Sequence, residues 1–113
     1  MIRGEIWWAD YGIPFGSEPG FNRPVLIVQN DALNQSKIGT VIVVPFTTNL
    51  IYENAPGNVF VDKSDSKLSK DSVLVISQLS VIDKKRLIKY ENKLPHFIME
   101  DIEIGIKLIL EIR

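Results

Sequence analysis

The sequence predicts a mainly β domain, an antiparallel barrel or two-sheet body carrying one C-terminal helix. Two patterns point there. Short apolar runs bounded by Gly, Pro, Asn or Asp recur between residues 4 and 90, and only residues 95–112 carry a sustained helical period. Composition agrees: the 113 residues are 45% hydrophobic and 24% charged, ordinary globular usage for a single domain over 1–113.

Residues 4–10 form the first expected strand, with Ile6 and Trp8 on one face and Trp7 and Ala9 on the other. Residues 11–22 hold Gly12, Pro14, Gly16, Pro19 and Gly20, which mark a loop. A dozen loop residues is long for a compact domain without a function. The loop delivers the chain to Arg23, the one charge at the mouth of an apolar run, Val25-Leu26-Ile27-Val28. Arginine is rarely buried unless it is paired or used. Pro24 holds Arg23 in extended geometry and suits a strand start. The run lacks alternation, so it reads as a strand buried on both faces. Asp31 is the expected N-cap of a short helix over residues 32–35.

A second core strand spans residues 40–46. Pro45 inside it marks a strand end, an edge or a bulge, and such a bulge re-aims the residues that follow, Thr47, Thr48 and Asn49. Residues 50–58 read as a loop, 59–61 as a short strand and 62–71 as a solvated connection pinned by Leu68. Residues 72–76 read as a strand ended by Ser77-Gln78, 79–82 as extended, and Asp83-Lys84-Lys85-Arg86 as a solvated basic corner before a last strand over 87–90. In the helix, positions 98, 99, 102, 106, 109 and 110 make one apolar face. Ile104, Leu108 and Ile112 add a second, which suggests burial between the sheet and a partner subunit. Gly105 is a helix weakness or a close-contact point, and His96 reads as helix-end structure.

The totals exclude several chemistries. With no cysteine there is no disulfide, thiolate metal site or catalytic thiol, and one histidine excludes a histidine-based zinc site or a two-histidine ribonuclease. Lys+Arg 13 against Asp+Glu 14 leaves a net charge of −1, so any polyanion site is a local patch. There is no secretory signal and no run of roughly 20 apolar residues, so the chain reads as cytoplasmic and free of the membrane.

The blocks Arg3-Gly4-Glu5-Ile6-Trp7-Trp8-Ala9-Asp10 and Gly16-Ser17-Glu18-Pro19-Gly20-Phe21-Asn22-Arg23-Pro24-Val25-Leu26-Ile27-Val28-Gln29-Asn30-Asp31 resemble the MazF/PemK toxins. Residues 40–49, Asp71-Ser72-Val73 with Gln78, and residues 82–87 resemble later blocks of that family. The resemblance implies an SH3-like antiparallel β-barrel, a homodimer and sequence-specific cleavage of single-stranded RNA. It also implies a cognate acidic, MazE-like antitoxin, with DNA bound only indirectly through it. The catalytic arginine falls on Arg23 and the catalytic threonine on Thr47, with Glu18 the one carboxylate in the loop. The implied RNA-contacting positions are Phe15, Gly16, Ser17, Glu18, Thr48, Asn49, Ala55, Pro56, Ser77 and Gln78.

The residues themselves support that chemistry. RNA carries its own nucleophile, the 2′-OH, whose attack leaves a 2′,3′-cyclic phosphate and a 5′-OH. Arg23 offers a permanently charged planar fork for two phosphate oxygens, and Thr47 a hydroxyl to orient the attack. No metal or other cofactor is expected. Glu18 is either the base or an acceptor that orders the loop backbone. A second reading stays open: toxins of the related CcdB-type architecture bind DNA gyrase, cleave nothing and grip their target with the C-terminal helix. A third is an antitoxin-binding relative without activity.

Overall fold

The computed structural model describes residues 1–113. β1 (Glu5–Asp10) and β2 (Asn22–Ile27) form an antiparallel hairpin with Ile6 opposite Leu26 and Ala9 opposite Arg23. β3 (Thr40–Thr47) flanks β2, with Val25 opposite Pro45. β4 (Val59–Val61), β5 (Ser72–Leu74), β6 (Ser80–Asp83) and β7 (Leu87–Lys93) complete a 7-stranded sheet ordered β4-β5-β3-β2-β1-β7, with β6 also on β3. α1 (Asp31–Asn34) and α2 (Lys63–Ser66) are single turns, and α3 (His96–Leu110) is the one long helix. The expected antiparallel sheet with a terminal helix is therefore present.

The sheet coils like a barrel, but its backbone ladder does not close, since β4 and β7 are the two ends of the strand order. A side chain ties those ends. Asn92 Nδ2, on β7, donates to the carbonyls of Asp65 (3.0 Å) and Ser66 (3.2 Å) in α2, the turn after β4.

The unalternating run in β2 is explained by two cores. Leu26 joins Ile6, Val44, Phe46, Leu74 and Ile76 under Ile98, Met99 and Ile102 of α3. Val25 and Ile27 face the other way, against Ala9, Val41, Val43 and Ile82. Burying each such side chain is worth about 1.5–3 kcal/mol, so β2 is held from both faces. Arg3 anchors α3 to the sheet: its guanidinium pairs with Glu103 at 3.0 Å and its Nε donates to the Val28 carbonyl at 3.0 Å.

Several expected elements differ in detail. The cap of α1 is Asn30, whose side chain accepts from Ala32 N at 2.8 Å. Asp31 instead accepts from Arg3 N at 2.7 Å and Asn34 Nδ2 at 3.0 Å, which hold its carboxyl below the usual range. β5 stops at Leu74, and residues Ile76–Gln78 turn as a 3₁₀ segment that the apolar run concealed. The basic corner is not merely solvated: Lys84 Nζ reaches the Asn34 and Ser36 carbonyls at 3.1 and 3.3 Å, and Arg86 Nη1 the Asp10 carbonyl at 2.9 Å. α3 ends at Leu110 because Glu111 adopts a left-handed conformation, φ 57°.

Gly105 is a close-contact point. A Cβ there would collide with the Gly57 carbonyl oxygen, and Gly57, at φ +83°, already occupies a conformation other residues avoid. Leu68 packs on the first core and His96 is exposed, paired with Glu100 at 3.1 Å. Ile104, Leu108 and Ile112 are 67, 60 and 53% exposed, so nothing in this chain covers the outer stripe of α3.

Candidate active site

Arg23 and Thr47 meet through strand register. The β2–β3 ladder pairs Val25 with Pro45, and extending it by two residues sets Arg23 opposite Thr47. Residues directly opposite in an antiparallel pair place their Cβ atoms about 4.5–5.5 Å apart on one face. Arg23 is half-buried, and its Nη1 donates to the Phe46 carbonyl at 3.3 Å. That single long bond leaves most of its five donors free. Thr47 Oγ1 accepts from Asn49 N at 3.2 Å, and Asn49 Oδ1 accepts from Ile51 N at 3.3 Å, capping a 3₁₀ turn over Leu50–Asn54.

Pro45 has no N–H to give, and β3 changes neighbour beside it. Thr40 to Val43 pair with β6, while Phe46 and Thr47 pair with β5. The Ile76–Gln78 turn fills the break, with Val75 N donating to the Pro45 carbonyl at 3.0 Å. Two adjoining sites open there, the smaller one polar. A cavity of about 240 Å³ is lined by Arg23, Thr47, Asn49, Ser17, Glu18 and Gln78, together with Tyr52, Pro19 and Val75. It shares Ser17, Glu18, Pro19 and Gln78 with an open groove of about 850 Å³ under the long loop, where Phe15 and Ser77 also lie.

The loop keeps its shape through its own backbone: Tyr11 N to Phe21 O (2.9 Å), Phe21 N to Gly12 O (2.6 Å) and Glu18 N to Phe15 O (3.1 Å). Gly20 has no side chain because the Pro14 ring packs against its Cα, where a Cβ would collide. Phe15 stands 84% exposed at the tip.

A family model for the PemK-like, MazF-like toxin of type II toxin–antitoxin systems matches residues 2–110. The chain belongs to this family. Endoribonuclease MazF6 of Mycobacterium tuberculosis is 36% identical over 112 residues, 99% of this chain and 98% of its own. Endoribonuclease MazF of Staphylococcus epidermidis is 42% identical over 85 residues, 75% of this chain and 70% of its own. Among solved structures, MazF of Deinococcus radiodurans superposes with TM-score 0.82 at 18% identity, covering 99% of this chain and 97% of that one. A mycobacterial endoribonuclease in complex with its cognate antitoxin superposes with TM-score 0.81 at 24% identity, covering 100% and 97%. At such identities the superpositions establish the fold.

Within this PemK/MazF-like toxin the expected residues separate into groups. Arg23, Thr47, Ser17, Glu18, Asn49 and Gln78 share the smaller cavity, and Phe15 and Ser77 lie only in the groove beside it. Gly16, at φ 57°, shapes the loop between them without lining either. Thr48 lines a different cavity, beyond Thr47. Ala55 and Pro56 line neither cavity; their loop runs to Gly57, which packs on α3 at Gly105.

Three residues were not legible as site residues. Tyr52 reaches the cavity through the 3₁₀ turn, a placement that the Asn49 cap followed by Leu50-Ile51-Tyr52 could have signalled. Arg86 lines the groove from the basic corner. Tyr11 lies in the groove wall with its hydroxyl buried and unpartnered. Burial pushes the Tyr11 phenol up to about 12, with the nearby Ser80 hydroxyl and Arg23 charge pulling the other way.

Proposed function

We propose that this toxin is an endoribonuclease that cuts single-stranded RNA at the Arg23–Thr47 cavity and thereby halts translation. The observation that supports the reading is that Arg23 and Thr47, a charged fork and a hydroxyl, line one polar cavity. The 36% identity to a named endoribonuclease along almost the full chain supports it.

In the reaction, the 2′-OH attacks the adjacent phosphorus, the P–O5′ bond breaks, and the products are a 2′,3′-cyclic phosphate and a 5′-OH. Arg23 binds the non-bridging oxygens and neutralises the charge that grows on them. Thr47 Oγ1 accepts from Asn49 N and donates to no group of the chain, so its hydroxyl hydrogen can turn to the substrate. Glu18 lines the cavity, and although its backbone N–H helps hold the loop, its carboxylate accepts no bond from the loop backbone, which favours the role of base over that of loop acceptor. The nucleophile is internal to the substrate and the charge is met by Arg23, so the route needs no metal.

Recognition follows from the groove. Splayed bases of single-stranded RNA stack on aromatic side chains and bond through their edges. Phe15 offers the exposed ring, and Ser17, Asn49, Ser77 and Gln78 the polar contacts. At a net charge of −1 the toxin gains a basic groove by pooling residues in a homodimer, for which the uncovered apolar stripe of α3 is available. A cognate antitoxin with an acidic tail competes for the same groove and carries any contact with DNA. No helix here is long and apolar enough to cross a membrane, and the proposed place of action is the cytoplasm, where mRNA is.

Incubation with a long defined RNA in EDTA, followed by mapping of the ends, tests the reading. Discrete cuts with 5′-OH ends are expected. An intact RNA, with gyrase inhibited instead, would assign the protein to the gyrase-binding class; neither effect would leave an antitoxin-binding relative.

A further inference from the structure

Resting on the RNA-cleaving reading above, we propose that a separate cavity of about 190 Å³ beyond Thr47 is a nucleobase subsite. It would read the base next to the scissile phosphate.

The cavity lies on the other face of the sheet from Arg23. Side chains alternate along a strand, so the row Ala9–Arg23–Thr47 faces one way and the row Trp8–Pro24–Phe46 the other. Trp8, Pro24 and Phe46 line this second cavity. At the end of β3 the two faces meet: Thr47 lines both cavities, and Thr48 continues into the second. A strand of RNA gripped at Arg23 therefore has a neighbouring nucleotide within reach of the far face, over the end of β3.

The site is built rather than incidental. It occupies the seam where the barrel ladder fails to close, between β7 and the segment that joins β4 to β5. Asn92, next to wall residue Glu91, ties β7 to the carbonyls of Asp65 and Ser66. Ser66 Oγ accepts from Leu68 N at 3.1 Å, and Asp71 accepts from Lys63 N at 2.9 Å, so both ends of the Leu68–Lys70 rim are held.

Its chemistry fits a base. Ser72 is 1% exposed, and its Oγ is buried with no hydrogen-bond partner. That oxygen is sealed from the cavity, so Ser72 forms its floor, and the polar contacts open to a ligand are the Thr47 and Thr48 hydroxyls and the Glu91 carboxylate. Trp8 is half-buried and offers a ring to stack on. Glu91 can only accept, so it favours an exocyclic amino group, as on adenine, cytosine or guanine, over uracil. Lys70 at the rim suits the next phosphate. A small pocket with a carboxylate in its wall is a poor seat for an acidic antitoxin tail.

The test compares wild type with Thr48→Val and Glu91→Gln on a long RNA of mixed sequence. In both variants the base preference at one position flanking the cut should relax about tenfold, while the other positions keep theirs. In parallel, the Trp8 indole N–H, assigned with Trp8→Phe, is followed by NMR during titration with a short oligoribonucleotide blocked by 2′-deoxyribose at the cut. The signal should shift, and an abasic residue at that one position should abolish the shift. Unchanged preference at every position in both variants overturns the subsite. So does an unmoved indole when the oligonucleotide shifts residues around Arg23, or an indole moved by an acidic peptide but not by RNA. If the long RNA is not cut yet the oligonucleotide moves Trp8, the cleavage reading fails and the subsite stands. Cutting with Trp8 unmoved sinks the subsite alone.

Discussion

Replacing Arg23 separates chemistry from folding. In the folded chain Arg23 makes one hydrogen bond, 3.3 Å to the Phe46 carbonyl, and is half-buried. A bond from a charged donor contributes about 1.5–3 kcal/mol net, and one at this length falls at the low end. A domain with about 5–15 kcal/mol of stability tolerates that loss, so Arg23→Ala should stay folded, with a melting temperature lowered by about 10 °C or less. Removing one donor aimed at developing charge costs about a hundred- to thousandfold in rate, about 2.7–4 kcal/mol of transition-state stabilisation. Activity should therefore collapse while the fold stays. Arg23→Lys keeps the charge and loses the planar fork, so it should fall between the two. The assay is the initial rate on a defined RNA, alongside thermal unfolding by circular dichroism. A folded Arg23→Ala protein that cuts RNA as fast as wild type would falsify the phosphate-clamp role.

Four further outcomes are expected. Thr47→Ala should lose about a hundredfold in cleavage and Thr47→Ser much less, because serine keeps the hydroxyl that lies beside Asn49 N; equal losses would point to the methyl group instead. Glu18→Gln should lower the rate and remove the limb of its pH profile that belongs to a base, and an unchanged profile ends the base assignment. Gly105→Ala gains about 1 kcal/mol of helix propensity but drives a Cβ into the Gly57 carbonyl; overpacking costs about 1–3 kcal/mol, so melting temperature should fall, and a rise would mean that the helix can move away freely. Tyr11 links stability to alkali: its phenol is raised to about 12 in the fold, so above the ordinary value near 10 the unfolded chain releases the proton first. Its contribution is complete below about pH 10 and is lost as pH rises towards about 12, and Tyr11→Phe should flatten that part of the unfolding profile.

How much of this was legible in the sequence depends on whether a feature was local. The double-sided burial of β2 showed in a run without alternation, Val25 to Val28. The extended geometry of Arg23 at the mouth of β2 showed in Pro24. The exposed apolar stripe of α3 showed in its spacing, although what covers it did not. The 3₁₀ turn at Ile76–Gln78 was hidden because Val73 to Ile76 is apolar throughout and reads as continuing strand. Asn30 took the cap expected of Asp31 because Asp31 was drawn away by Arg3, 28 residues earlier. Ser72 gave no signal: its isolation is a property of what surrounds it, and the surroundings come from β1, β3, β7 and the α2 loop together.

Pro45 links these observations. A strand carrying a full set of N–H groups could keep one neighbour along its length, and β5, residues 75–79 and β6 could then run as one continuous partner of β3. With Pro45 in the ladder, β3 exchanges β6 for β5, and the chain between those strands turns as Ile76–Gln78. The turn carries Gln78 into the cavity with Arg23 and Ser77 into the adjoining groove. The same exchange leaves Thr47 at the strand end, where the two faces of the sheet are both within reach. The proposed phosphate clamp on one face and the proposed base pocket on the other would serve one RNA strand only at such an end. Restoring the N–H with Pro45→Val should therefore disturb cleavage more than stability: valine fits a buried strand position, while the exchange that sets Thr47 against Gln78 loses its cause. Wild-type rates in that variant, with an unchanged melting temperature, would show that packing of the turn, and not the missing donor, sets the break.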